Sequence, residues 1–123
     1  SKGGALAQLA GYYYHDLRPQ VVTFGSPKVF SRSLAKVLQR SVTHLRVRHS
    51  NDVVPLVPGI GLVSWLCGRY AHAGEMIMLT ESGEIVRRPE LAARICEAIG
   101  GYRPGDTVTD HFLGGYIDAL AAH

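Results

Sequence analysis

SKGGALAQLAGYYYHD, residues 1–16, decides how this chain is read. A serine stands on the threshold of a helix, followed by Gly3, Gly4 and a run of small apolar residues. Leu6, Leu9 and Tyr13 recur at helical intervals, so a helix is expected over residues 4–16, ending near DLRP. Two roles fit Ser1. It is the N-cap of a glycine-rich helix start, where a serine oxygen satisfies a first-turn N–H. Or it is the second half of a nucleophile elbow, G-x-S-x-G, of which only Ser1-Lys2-Gly3 is visible. In that case Gly3 lets the helix pack close to a strand. The backbone N–H of Lys2 then lies at the positive end of the helix dipole, where a developing oxyanion is favoured.

Outward from this helix the pattern alternates. QVVTFGSP (20–27) is a β-branched and aromatic run stopped by Gly25 and Pro27, which predicts a buried strand. SRSLAKVLQR (31–40) places Leu34, Val37 and Leu38 at i, i+3, i+4 after a serine-rich start, a second helix. THLRVRHSND (43–52) is a strand running into a polar loop. VVPLVPGIGLVSWLCGR (53–69) is apolar but broken by proline and glycine, a loop with a greasy surface. YAHAGEMIML, TESGE and IVRR (70–88) predict a β-hairpin with Ser-Gly in its turn. PELAARICEAIG (89–100) begins with proline and stops at glycine, a well-punctuated helix. TDHFLGGYIDALAAH (109–123) is a last helix. This order is that of an α/β protein. The first helix has no strand before it, so residues 1–123 are expected to be the C-terminal portion of one larger α/β domain.

Composition narrows the function classes. With 46% hydrophobic and 19% charged residues the chain is that of a folded globular domain. A net charge of +3 without a basic stripe does not suggest a nucleic-acid partner. Cys67 and Cys96 allow one disulfide but fit no zinc spacing, and they are read as small buried hydrophobes. Nothing in the sequence asks for a metal or a cofactor.

A serine nucleophile needs a base, and the base needs a carboxylate to orient it. Asp52 follows a strand and enters a loop at a carboxyl end of the sheet, where α/β proteins gather their ligands. It is equally a loop aspartate capping a turn. Of six histidines, His15 suits a helix C-terminus, His44 and His49 lie in or beside a strand, His72 reads as a packed residue, and His123 is terminal. His49 stays open as a base because it is near Asp52. His111 stands at a loop-to-helix junction downstream of both other candidates, giving the order Ser, Asp, His. It is equally a first-turn helix histidine.

Five segments, in order, resemble the class 3 lipase family. SKGGALAQLA is similar to its G-H-S-L-G-G-A-L-A elbow from the serine onward, and VVTFGSPKV to its T-F-G-x-P-x-V strand and turn. RVRHSNDVVPLVP resembles the acid-bearing stretch ending N-D-x-V-P-x-x-P. YAHAGEMIML looks like its [FY]-x-H-x-G-x-E hairpin, and DHFLGGYIDAL its closing D-H-x-x-Y segment. The resemblance implies the C-terminal part of an α/β-hydrolase fold, with a mainly parallel sheet, a β-hairpin and flanking helices. It makes Ser1 the nucleophile, Asp52 the triad acid and His111 the general base, with the Lys2 N–H as one oxyanion donor and His72 as a structural histidine. The second donor and the lid belong upstream of the elbow and so outside residues 1–123. Lys2 departs from the family's usual Leu, Met or Gln, but only its backbone is needed.

The implied substrate is a lipid carboxylic ester, acylglycerol or phospholipid, with transient contact at a lipid interface. Leu62 and Trp65 in the greasy loop are candidates for acyl contact. The implied further partner is the upstream part of the same domain. Two rivals remain. One is an N-terminal nucleophile hydrolase using the Ser1 α-amine as base. The other is a catalytically silent lipase-like binding module, or a fragment completed by a partner chain.

Overall fold

The computed structural model describes residues 1–49, 52–57, 70–80, 84–87 and 111–122. Helix α1 runs Lys2–Tyr13, starting earlier than the periodicity suggests because Ser1 already takes the N-cap position, its carbonyl accepting the Ala5 N–H at 3.0 Å. A 3-10 turn, His15–Leu17, closes on Arg18 in the left-handed region and leads into strand β1, Gln20–Phe24. A two-residue strand β2, Phe30–Ser31, precedes helix α2, Arg32–Ser41. The Ser31 hydroxyl caps α2 by accepting the Leu34 N–H at 3.3 Å. Then come β3 (Thr43–His49), a 3-10 turn at Val54–Leu56, β4 (Tyr70–Ala71), β5 (Glu75–Leu79), β6 (Ile85–Arg87) and helix α3 (Leu113–Ala121).

The strands form a four-stranded sheet in the order β1-β3-β5-β6, the first two pairings parallel and the last antiparallel, and a small antiparallel pair, β2 with β4. The protein is thus a mixed α/β structure with a mainly parallel sheet. Side chains alternate across a strand, and the register divides the sheet faces accordingly. Val21 and Thr23 of β1 lie beside His44 and Arg46 of β3 on the face that α1 covers. Phe24 and Val47 lie on the opposite face, which α3 covers through Tyr116 and Ala119. A second cluster, Phe30, Ala35, Leu38 and Ala73, joins α2 to the β2–β4 pair.

Two expectations change. β1 was expected to be buried, yet Val22 is 52% and Phe24 37% exposed, because β1 is the edge strand among the described residues. The hairpin was expected from Tyr70, but it begins at Glu75. Gly74 (φ +88°) packs against the His44 carbonyl and turns the chain there, which frees Tyr70–Ala71 to pair with β2. His72 consequently sits between β4 and β5 rather than on the hairpin. The Ser-Gly turn, the 89–100 helix, Cys67, Cys96, Leu62, Trp65 and His123 lie outside the described residues.

Candidate active site

The parallel pairing of β1 with β3 brings two strand ends together, and the site is built there. β3 ends at His49, and Asp52 is held in the turn that follows by its N–H donating to the His49 carbonyl at 2.9 Å. Its carboxylate is 0% exposed. A buried carboxylate is costly unless its lone pairs are satisfied, and here three groups satisfy them. The Val54 N–H donates to Oδ1 at 2.9 Å, and the Tyr116 hydroxyl to Oδ2 at 2.5 Å. The His111 ring spans both oxygens, with Nδ1 3.1 Å from Oδ1 and 3.0 Å from Oδ2.

A carboxylate only accepts, so Nδ1 of His111 carries the proton and Nε2 is left as the basic nitrogen. The His111 side chain is 17% exposed against 0% for Asp52, so the imidazole forms the solvent-side member of the pair. His49, the other histidine near Asp52 in sequence, makes no hydrogen bond to the carboxylate among the described residues. It is buried, stacks obliquely on Tyr116 at 5.5 Å, and its Nδ1 has no partner among the described residues.

β1 ends against this pair. Gly25 donates its N–H to the Val47 carbonyl at 3.0 Å and adopts φ +54°. A Cβ on Gly25 would lie 2.5 Å from Asp52 Oδ2 and 2.9 Å from His111 Nδ1. Only a glycine fits that conformation without strain and leaves that space to the two side chains.

The next residue, Ser26, receives the start of α1. A Cβ on Gly4 would lie 2.7 Å from Ser26 Cβ, so the bare backbone of the first helical turn rests on it. Gln8 of α1 fastens the contact by donating to Ser26 Oγ at 2.5 Å and to the Pro27 carbonyl at 3.2 Å. Adjacent residues thus hold the His111 ring on one side and the first turn of α1 on the other. Ser1 is exposed at the tip of that turn, and its side chain makes no capping bond. Among the described residues no hydrogen bond joins Ser1 to His111. Lys2 is the exposed first residue of the helix, where N–H groups lack intrahelical partners.

Three groups, His44 and Tyr116 buried and His72 partly buried, are tuned by their surroundings. His44 bonds Thr23 Oγ1 at 2.9 Å, and burial first, then the charge of Arg46, lowers its pKa to about 4. His72 donates Nε2–H to the Pro55 carbonyl at 2.6 Å; burial, then Arg46, lowers it to about 3. It ties the chain before β5 to the turn carrying Val54. Tyr116 is pushed well above the usual phenol range by burial and by its bond to Asp52, so it stays a donor.

The stretches resembling T-F-G-x-P-x-V and D-H-x-x-Y include Gly25 and Tyr116, but nothing in the sequence alone says that either meets Asp52. A tyrosine five positions past a histidine has no spacing that points at a carboxylate from another segment. Gly25 reads only as the residue that stops a strand. Among the described residues no cluster of three metal-ligating side chains occurs.

The family model described as Lipase (class 3) matches residues 1–62, a stretch that holds Ser1, Lys2, Gly25 and Asp52. No solved structure matches the chain. The match covers half of the 123 residues, and with it the chain belongs to the class 3 lipase family.

Proposed function

We propose that this protein is a serine hydrolase that cleaves carboxylic esters of lipids, acylglycerols or phospholipids, through an acyl-enzyme on Ser1. In this reading the chain is the C-terminal portion of an α/β-hydrolase domain. The observation that carries it is the Asp52–His111 pair: a buried carboxylate holding Nδ1–H so that Nε2 is left to act as a base. Membership of a lipase family supports the substrate class.

The steps follow from these positions. His111 Nε2 takes the Ser1 hydroxyl proton as Oγ attacks the ester carbonyl, and Asp52 stabilises the imidazolium that forms. The Lys2 N–H, at the positive end of α1, donates to the tetrahedral oxyanion. The alkoxide leaves with the proton from Nε2, giving an acyl-Ser1 ester. Water, deprotonated by the same nitrogen, then releases the fatty acid and restores the serine. No hydrogen bond joins Ser1 to His111 among the described residues, and in this reading it forms with substrate in place.

The test is hydrolysis of p-nitrophenyl butyrate and of diacylglycerol micelles by the full-length protein and its variants. Ser1→Ala, Asp52→Ala and His111→Ala should each lower kcat by about a thousandfold or more. Full activity in Ser1→Ala would remove the nucleophile from this scheme. A folded wild type that binds lipid vesicles and hydrolyses neither ester would leave a lipid-binding module.

A further inference from the structure

Taking Asp52 and His111 as acid and base leaves one strong contact without a role. The Tyr116 hydroxyl reaches Asp52 Oδ2 at 2.5 Å, at the short end for a hydrogen bond to a charged oxygen. We propose that Tyr116 is a positioning residue of this site: its hydroxyl fixes the Asp52 carboxylate toward His111 and draws charge from it. Tyr116 thereby sets how firmly the carboxylate holds the imidazolium. The inference rests on the hydrolase reading for its kinetic consequence but not for the coupling itself.

Three features of the geometry carry it. First, Tyr116 cannot move away. It is 2% exposed, its ring meets Phe24 edge-on at 5.8 Å and His49 obliquely at 5.5 Å, and it packs with Val47, Leu79 and Ala119.

Second, the two carboxylate oxygens have separate holders, the Val54 N–H on Oδ1 and Tyr116 on Oδ2. Together they fix rotation about Cβ–Cγ, and the His111 N–H then lies nearly equidistant from both oxygens. With Tyr116 removed, one oxygen is held and the plane is free to turn. No solvent reaches Asp52 to replace the lost donor.

Third, one short segment supplies both parts: His111 stands two residues before Leu113, where α3 begins, and Tyr116 lies within its first turn. Among the described residues, the titratable and charged groups beside the cluster are Arg48 and His49 of β3 with His111; Phe24 at the end of β1 and Gly25 just past it also pack there.

The test uses the full-length protein with Tyr116→Phe and with Tyr116 replaced by 3-fluorotyrosine, which keeps the hydroxyl and strengthens it as a donor. The low-field proton resonance of His111 Nδ1–H reads the coupling without turnover, and the pH profile of p-nitrophenyl butyrate hydrolysis reads its consequence. In Tyr116→Phe the resonance should move downfield and the acid limb of kcat/KM should move to higher pH. Its kcat should fall about tenfold with KM unchanged. Fluorotyrosine should move resonance and limb the opposite way.

A folded Tyr116→Phe with unmoved resonance and limb would overturn the proposal. So would variants that shift in the same direction, as a merely structural role predicts. Should Tyr116→Phe fail to fold, an unmoved resonance in the fluorotyrosine protein would overturn it equally. A wild type that turns over no ester while the two variants shift the resonance oppositely would defeat the hydrolase reading and leave the coupling standing.

Discussion

At Gly25 the chain turns out of β1 with φ +54°, and the room left by its missing side chain is occupied by Asp52 and His111. An alanine there meets two separate difficulties. The left-handed backbone costs about 1 kcal/mol for a residue with a Cβ, and the methyl group would press on the carboxylate and the imidazole at once. If Asp52 and His111 act as acid and base, as proposed, displacement of this kind matters more to rate than to folding, because small misplacements of catalytic groups are expensive in kcat. Gly25→Ala should therefore lose roughly a hundredfold or more in kcat/KM, with a melting temperature lowered by only a few degrees. Full activity in a folded Gly25→Ala protein would contradict the packing described here. The same residue shows where reading the sequence stops. Ser1, Asp52 and His111 stood out in the sequence as candidate nucleophile, acid and base because of their order and the motifs around them. Gly25 and Tyr116 did not, because their roles depend on which segments become neighbours in space.

The elements are tied by two histidines held neutral, His44 buried and His72 partly buried. His44 links β3 to β1 through Thr23, and His72 links the segment before β5 to the turn after Asp52. Their pKa values fall from 6.5 to about 4 and about 3, because burial and the Arg46 charge oppose protonation. In the unfolded chain both protonate near 6.5. Below that pH the unfolded state binds more protons than the folded one, so stability falls as pH falls. The contribution is fully present above about 6.5. It is lost progressively down to about 4 for His44 and about 3 for His72. For His44 alone the loss should reach ~2 kcal/mol by pH 5. Denaturant unfolding at pH 7 and pH 5 measures it, and His44→Gln should flatten the dependence. A wild type equally stable at both pH values would contradict the burial of these rings. At this scale α1, α2, α3, β1, β3 and β5 were legible from periodicity and punctuation. The split of the expected hairpin was not, since Tyr70–Ala71 leaves it only because β2 offers a partner across forty residues of chain.

Across the whole molecule the arrangement follows from parallel strands with helices on both faces. β1 and β3 run side by side, so the residues just past their ends, Gly25 and Asp52, meet at one edge of the sheet. α1 begins at that edge against Ser26, and α3 arrives there with His111. The alternation of helix and strand was enough to predict an α/β protein, and the order of the motifs enough to predict the family. The exposed face of β1 was not legible, because a β-branched run reads alike in a central and an edge strand. What unites these levels is the claim that Ser1 is a nucleophile activated by His111 and Asp52. Fluorophosphonate labelling of the full-length protein, with peptide mapping of the adduct, tests it most directly. The account predicts label on Ser1, abolished in Ser1→Ala and strongly slowed in Asp52→Ala and His111→Ala. A folded protein that takes no label, or takes it on another residue, would contradict it.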